Sequence, residues 1–236
     1  MRRRALIGST LCLAAPPVHA RGVIELVTAD DRPYAIARGP EPGVALTLSA
    51  ELFRMLGLQV VFRFLPWAEA EARAASVNGL AIAPIARTAA REARFLWAVA
   101  LFDDPSGFAV LRNEPPDTLS AALPLSQIAV LSGSPHEAFL RANGMQNLLP
   151  LANSLQAMAA LRSGDASAWF SGLPRLRAQL GQGAKFGQPV FAEPAWLALH
   201  AGTRDVPLAP LREAHASLEA DGSLQKMLMY FTGSPA

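Results

Sequence analysis

The chain has 236 residues, of which 51% are hydrophobic and 17% charged, with a formal net charge of +2. That is enough apolar chain to bury one large domain or two small lobes. The small net charge gives no reason to expect nucleic acid or an anionic membrane as partner.

The first twenty residues read as an export signal. Arg2, Arg3 and Arg4 form a positive start, Ala5 to Ala15 is a short apolar core, and Val18-His19-Ala20 is a small-residue cleavage site. The core is too short to span a bilayer. Leu11 before Cys12 argues against a lipoprotein signal, and the arginine run is only a weak twin-arginine signature. Cleavage after Ala20 removes three of the 21 basic residues, none of the 19 acidic ones and the single cysteine. The remainder carries a net charge of −1, holds no thiol, and must be held together by its core alone. No later segment is long and apolar enough to cross a membrane.

Val23 to Thr28 is β-branched and apolar and predicts a strand. Ala29 to Gly43 is punctuated by two aspartates, three prolines and two glycines and reads as a loop. Leu46 to Leu56 has helical apolar spacing that stops at Gly57. Gln59 to Phe64 predicts a second strand, and Pro66-Trp67 opens a helix running to Gly79. Leu80 to Ile85 predicts a third, buried strand. Thr88 is a good helix N-cap and Arg91 would sit in the first turn of the helix it starts. Free N–H groups at a helix start, with an arginine fork beside them, make an anion-binding corner suited to a carboxylate. The alternative is a surface arginine paired with Glu92 or another acid.

Strand–helix alternation argues for a mostly parallel sheet flanked by helices, with ligands at the carboxyl ends of the strands. Tyr34, Trp67, Thr88 and Arg91 all follow a strand end. The second half repeats the device. Phe108 to Leu111 is apolar, Pro115-Pro116 is a break, and Gln127 to Leu131 predicts a strand. Ser134-Pro135-His136-Glu137 is then a capping box with proline at the first helical position. Asn153 or Ser154 caps a further helix ending near Gly164. Ala168 to Phe170 and Trp196 to His200 predict strands, and Leu208 to Met229 a terminal helix with a weak point at Gly222. Two halves with helix starts aimed at a sheet edge suggest a two-lobed clamp that closes on a small ligand.

Several of these blocks match a known pattern. Pro33-Tyr34, Gly43 with the helix to Gly57, Pro66-Trp67, Asn78-Gly79, Arg87-Thr88-Ala89-Ala90-Arg91, Phe95-Leu96-Trp97, Val130 to Glu137 and Asp221-Gly222-Ser223-Leu224 occur in the order expected there. Nearly all of the chain after Ala20 thereby resembles the bacterial extracellular solute-binding proteins of family 3, the periplasmic amino-acid-binding type. The resemblance implies an α/β, two-lobed type II periplasmic binding fold, each lobe a mostly parallel sheet flanked by helices. It implies a first lobe over residues 21–108, a second over 109–192, and a return to the first over 193–236. It implies a periplasmic, monomeric, non-catalytic protein without cofactor or metal, serving an inner-membrane ABC permease. Its ligand site would be built from Arg91, Thr88, Ser134, Trp67, Tyr34, Arg87, Ala86 and Gly133. Arg91 would hold the solute carboxylate, Thr88 would orient it, Ser134 would offer its backbone N–H, and Tyr34 and Trp67 would wall the site.

Two departures bear on the solute. Ala83, Pro84 and Ala86 stand where α-amino-acid binders carry hydroxyls. Ser171 or Gly172 stands where they carry the aspartate that pairs with the α-ammonium, and Asp30, Asp31 or Glu137 would have to substitute. A small carboxylate-bearing solute, an amino acid or a related organic acid, is the expectation. The alternatives are a cyclohexadienyl dehydratase-like enzyme on the same fold, which needs a positioned acid or base, and a recognition protein that signals to a sensor or another partner. His136, His200 and His215 lack metal-ligand spacing, and there is neither a Gly-x-Ser-x-Gly elbow nor a Gly-x-x-x-x-Gly-Lys loop.

Overall fold

A computed structural model describes residues 22–233; the predicted export signal lies outside them. In chain order the elements are β1 (Val23–Thr28), α1 (Val44–Met55), β2 (Gln59–Phe64), α2 (Trp67–Ala74), β3 (Ala81–Ala86), β4 (Phe95–Val110), α3 (Leu119–Ala122), β5 (Ile128–Leu131), α4 (Pro135–Ala142), β6 (Leu148–Leu151), α5 (Ser154–Ser163), β7 (Ala168–Gly172), α6 (Leu173–Leu180), β8 (Lys185–Phe186), β9 (Phe191–His200), α7 (Leu208–Ala220) and α8 (Ser223–Thr232). Among these no helix is long and apolar enough to cross a membrane.

The strands form one sheet in the order β2-β1-β3-β9-β4-β7-β5-β6, with β8 on β4. At one end β2, β1 and β3 are parallel, and at the other β6, β5 and β7 are parallel. The antiparallel strands β9 and β4 join the two sets. Each end has its own core on both faces of the sheet, so the molecule is two-lobed. In the first lobe Leu26, Ala81 and Leu199 face one cluster with α1, α7 and α8, while Val27, Ile82 and Ala198 face another with α2. In the second lobe Phe108, Ile128, Val130 and Phe170 lie on one face, and Ala109, Ala129 and Trp169 on the other. Period-two alternation puts neighbours in sequence on opposite faces. Because helices cover both faces, both sets are apolar, which is why these strands read as continuous hydrophobic runs.

Three expectations need correction. No helix follows Thr88. Residues 89–94 are turns, with the Arg91 amide donating to the Thr88 carbonyl at 3.0 Å and the Arg94 amide to the Arg91 carbonyl at 2.9 Å. Only eight residues separate β3 from β4, too few to repay helix nucleation. Thr88 therefore caps nothing. The helix opened by Pro66-Trp67 ends at Ala74, short of Gly79. The terminal helix is two helices, because Gly222 takes the left-handed conformation at φ 75°. The sequence also hid the long crossing strand. Asp103, Asp104, Pro105, Ser106 and Gly107 look like a turn, yet all lie within β4. The Ser134 cap forms as expected, its Oγ accepting from the Glu137 amide at 3.2 Å, while the Glu137 carboxylate accepts from the Gly133 amide, one residue before the cap, at 2.7 Å.

Gly43 fixes the loop that carries Tyr34. Its φ is 97°, and a Cβ there would meet the Tyr34 carbonyl oxygen at 2.5 Å and the Pro33 carbonyl oxygen at 2.8 Å. Gly43→Ala should therefore cost more than about 1 kcal/mol, read as a lower urea midpoint. An unchanged midpoint would show that the loop relaxes around the methyl group.

Candidate functional site

The residues singled out in the sequence fall into three places. Arg91 lies in the β3–β4 turn with its side chain 11% exposed. One terminal nitrogen donates to a Glu71 carboxylate oxygen at 2.7 Å, the other to the Ala86 carbonyl at 3.2 Å, and the guanidinium stands 5.6 Å from the Trp67 ring centre. Arg94 donates to the second Glu71 oxygen at 2.7 Å. Burial pushes the Glu71 carboxyl up, but the hydrogen bonds and charges of Arg91 and Arg94 outweigh it and hold it below its ordinary range. Arg87 carries the pair with Glu92 that the sequence left open as an alternative. Its Nε donates to Glu92 at 2.9 Å, and its guanidinium lies over the Trp97 and Trp196 rings at 5.5 and 5.1 Å.

Gly133 and Ser134 start α4 in the second lobe. Their backbone N–H groups are both used inside the chain, Gly133 on Glu137 at 2.7 Å and Ser134 on the Leu131 carbonyl at 3.2 Å. The expectation that Ser134 presents a free N–H is not met in this arrangement, because the loop is closed on itself.

Tyr34 belongs to a third group, and most of that group was not anticipated. It is 2% exposed, packs on Phe102 with ring centres 6.0 Å apart, and donates its hydroxyl to Asp104 at 2.6 Å. Asp104 lies on β4 where that strand passes between the lobes. Arg175, in the first turn of α6, comes from the second lobe. Its Nε and one terminal nitrogen donate to the two oxygens of Asp31 at 2.8 and 2.6 Å. The other terminal nitrogen donates to Ser171 Oγ at 2.9 Å, and the guanidinium lies 5.2 Å from the Tyr34 ring centre. Beside this group Ser106 Oγ shares a 2.8 Å hydrogen bond with His136 Nε2, both residues being buried. Asp104 and Glu193 are direct cross-strand partners on β4 and β9.

The electrostatics follow from burial among these neighbours. Desolvation lifts Asp104 to about 6, against the pull of Arg175. Desolvation, then the Asp104 charge, lifts Glu193 to about 7, while Arg91 and Arg175 pull it down. Burial, then the Asp104 charge, raises the Tyr34 hydroxyl well above its ordinary value. Burial and the Arg175 charge drive His136 down to about 3, so its ring is neutral. Burial alone would lower Arg175; the Asp31 charge and hydrogen bonds more than reverse that. Glu193 thus feels a cation from each lobe, Arg91 from the first and Arg175 from the second.

Gly172 also finds its reason here. A Cβ at this position would lie 2.5 Å from an Asp104 oxygen and 2.7 Å from the Tyr34 hydroxyl. The space beside the end of β7 is taken by the Asp104 carboxylate from the crossing strand. Asp104, Arg175 and Glu193 carried no local signal, since each reads as a surface charge near a proline. The pairing of Asp104 with Glu193 in the sheet reveals the two acids, and the bond to Asp31 reveals Arg175.

No protein-family model matches the chain, and no curated protein matches it in sequence. Solved structures do match its fold. An amino-acid ABC transporter substrate-binding protein from Streptococcus pneumoniae bound to L-arginine matches with a TM-score of 0.74 at 12% identity, over 90% of this chain and 94% of that one. A periplasmic His/Glu/Gln/Arg/opine family-binding protein from Silicibacter pomeroyi in complex with lysine gives 0.72 at 19%, over 90% and 98%. The GluR0 ligand-binding core from Nostoc punctiforme in complex with L-glutamate gives 0.69 at 20%, over 89% and 98%. The chain shares the two-lobed α/β fold of these amino-acid-binding proteins.

Glu193 offers a test of the junction. Its folded-state value near 7 lies above the ordinary 4.5, so the folded chain holds this proton more tightly than the unfolded one. The resulting stabilisation is full below the ordinary value and is lost as pH rises through about 7. Glu193→Gln removes that loss. Relative to wild type, the variant should melt at a higher temperature at about pH 8 than at about pH 5. A difference in Tm that stays constant between the two would contradict the placement of Glu193.

Proposed function

We propose that this chain is a non-catalytic solute-binding protein that closes its lobes on a small carboxylate-bearing solute, an amino acid or a related organic acid. The observation that carries the reading is the meeting of the two lobes at the crossing strands, where Arg175 of the second lobe bonds Asp31 and faces Tyr34 of the first and Tyr34 bonds Asp104, the partner of Glu193. Such a junction can surround a small polar ligand and exclude water from it. The relatives in fold were solved with arginine, lysine and glutamate, and each of these carries a carboxylate.

In this reading the lobes span residues 21–108 with 193–236, and 109–192. The leader exports the chain to the periplasm, where a monomer passes its solute to an inner-membrane ABC permease. Arg91 is the carboxylate receptor. A guanidinium has five N–H donors, and Arg91 donates to Glu71 and Ala86 at its two ends, leaving donors for a second acid. Glu71 holds the fork in place, and Trp67 covers its face.

The test is a thermal-shift screen with L-amino acids, decarboxylated amines, dicarboxylates, aromatic acids and prephenate. A ligand that binds only the folded state raises Tm by mass action. Stabilisation by carboxylates and not by the matching amines is expected. Arg91→Ala should then weaken the best of them by about 2–5 kcal/mol, as truncating one partner of a buried charge pair does, read by titration calorimetry. Normal affinity in that variant would remove Arg91 from the site. Turnover of prephenate would move the protein to the enzyme class.

A further inference from the structure

Arg175 is an unusual residue for its position. It sits in the first turn of α6, where the helix dipole is positive and a cation is disfavoured. Nothing within its own helix rewards it. Its partners lie elsewhere: the bidentate carboxylate of Asp31, the Tyr34 ring and the Ser171 hydroxyl. Asp31 and Tyr34 belong to the first-lobe loop and Arg175 to the second lobe, so this ion pair ties one lobe to the other.

The first-lobe side of the cage is braced by bonds that do not involve Arg175. The Tyr34 and Ala35 amides both donate to the Asp31 carbonyl, at 2.8 and 2.9 Å, and the Asp31 amide donates back to Ala35 at 2.8 Å. Gly43 packs its backbone against Tyr34, and Asp104 holds the Tyr34 hydroxyl at 2.6 Å. A fixed carboxylate, an aromatic face and a hydroxyl are what any guanidinium needs: two parallel charge-assisted bonds, a cation–π surface and one further acceptor. This cage already holds one, supplied by the chain.

We propose that Arg175 is an internal ligand: its guanidinium fills the cation-binding part of the cleft, draws the lobes together in the absence of solute, and bars solutes with a cationic side chain. The exclusion of cationic solutes rests on the solute-binding reading above; self-closure and the occupied cage do not. A cleft charged in this way selects neutral or acidic solutes, because a second cation would meet Arg175 instead of Asp31.

The experiment measures the cage directly, with methylguanidine as the probe. Wild-type protein, Arg175→Ala and the double variant Arg175→Ala with Asp31→Asn are melted with and without millimolar methylguanidine. Wild type should show no shift, Arg175→Ala a rise of several degrees in Tm, and the double variant none. A folded Arg175→Ala protein that methylguanidine leaves unmoved, or a wild type that shifts as much, overturns the proposal. Should Arg175→Ala fail to fold, Asp31→Asn decides the matter by small-angle scattering without any solute. The tie predicts a larger radius of gyration than wild type, and an equal radius overturns it. Neither arm uses the transported solute, so a panel that finds no carboxylate ligand leaves this result standing, and the reverse holds as well. L-arginine against wild type tests the exclusion: stabilisation of the wild type by it would overturn that part.

Discussion

The pairing of β4 with β9 is the constraint on which the rest depends. β4 runs sixteen residues from the first core into the second. β9 follows it antiparallel from Phe95 opposite His200 to Ser106 opposite Phe191. Two register shifts, between Trp97 and Val99 and between Ala100 and Phe102, break the alternation. Ala98 and Val99 therefore both belong to the α1 side of the sheet, while Trp97 belongs to the α2 side. Such bulges bend and twist a strand. Past them the apolar residues give way to Asp103, Asp104, Pro105 and Ser106, and beyond Gly107 the second core begins. The polar interval is short because it spans only the gap between two hydrophobic cores.

That interval fixes the chemistry of the junction. Opposed like charges destabilise a ladder, yet Asp104 faces Glu193 across it. The pair is tolerated because burial lifts both carboxyls, Asp104 to about 6 and Glu193, with the Asp104 charge adding to it, to about 7, so the two need not be charged together. Arg175 and Arg91 lower the remaining cost from either side. The same desolvation keeps His136 neutral and lets it share a proton with Ser106 at no electrostatic expense. Every charge at the junction is thus conditioned by the arginine tied to Asp31. A buried ion pair is weak support for stability in itself, since desolvation offsets attraction. Its value here is geometric, as it fixes which residues of the two lobes meet.

Much of this was legible in the sequence, for a physical reason. Elements that are locally determined were read well: β1, β2, the Ser134 capping box and the Asn153 cap depend on apolar runs and on side chains bonding to their own backbone. The helix after Thr88 failed because cap and propensity are local, whereas the length available before β4 is a property of the sheet. β4 was missed because aspartate, proline and glycine mark turns in most chains; here pairing with β9 on one side and β7 on the other overrides that preference. Tyr34, Trp67, Thr88 and Arg91 were visible as residues that follow strand ends. Arg175 was not, because what distinguishes it is a partner 144 positions away.

Gly172 shows most plainly how sequence and site are coupled. A chain that lacks an acid at the end of β7 looks deficient when that position is considered alone. In space, the room for a side chain at Gly172 is already taken by the Asp104 carboxylate and the Tyr34 hydroxyl. An acid at 172 would clash with both and set a third carboxyl beside Asp104 and Glu193, with Arg175 already committed to Asp31. Glycine is therefore the steric complement of Asp104. The same logic ties Ser171 to Arg175, since a small hydroxyl is what lets the guanidinium reach across to Asp31 while keeping a third acceptor. The junction is a matched set in which the Asp104 carboxylate fills the space beside Gly172 and Arg175 answers Asp31 from the other lobe.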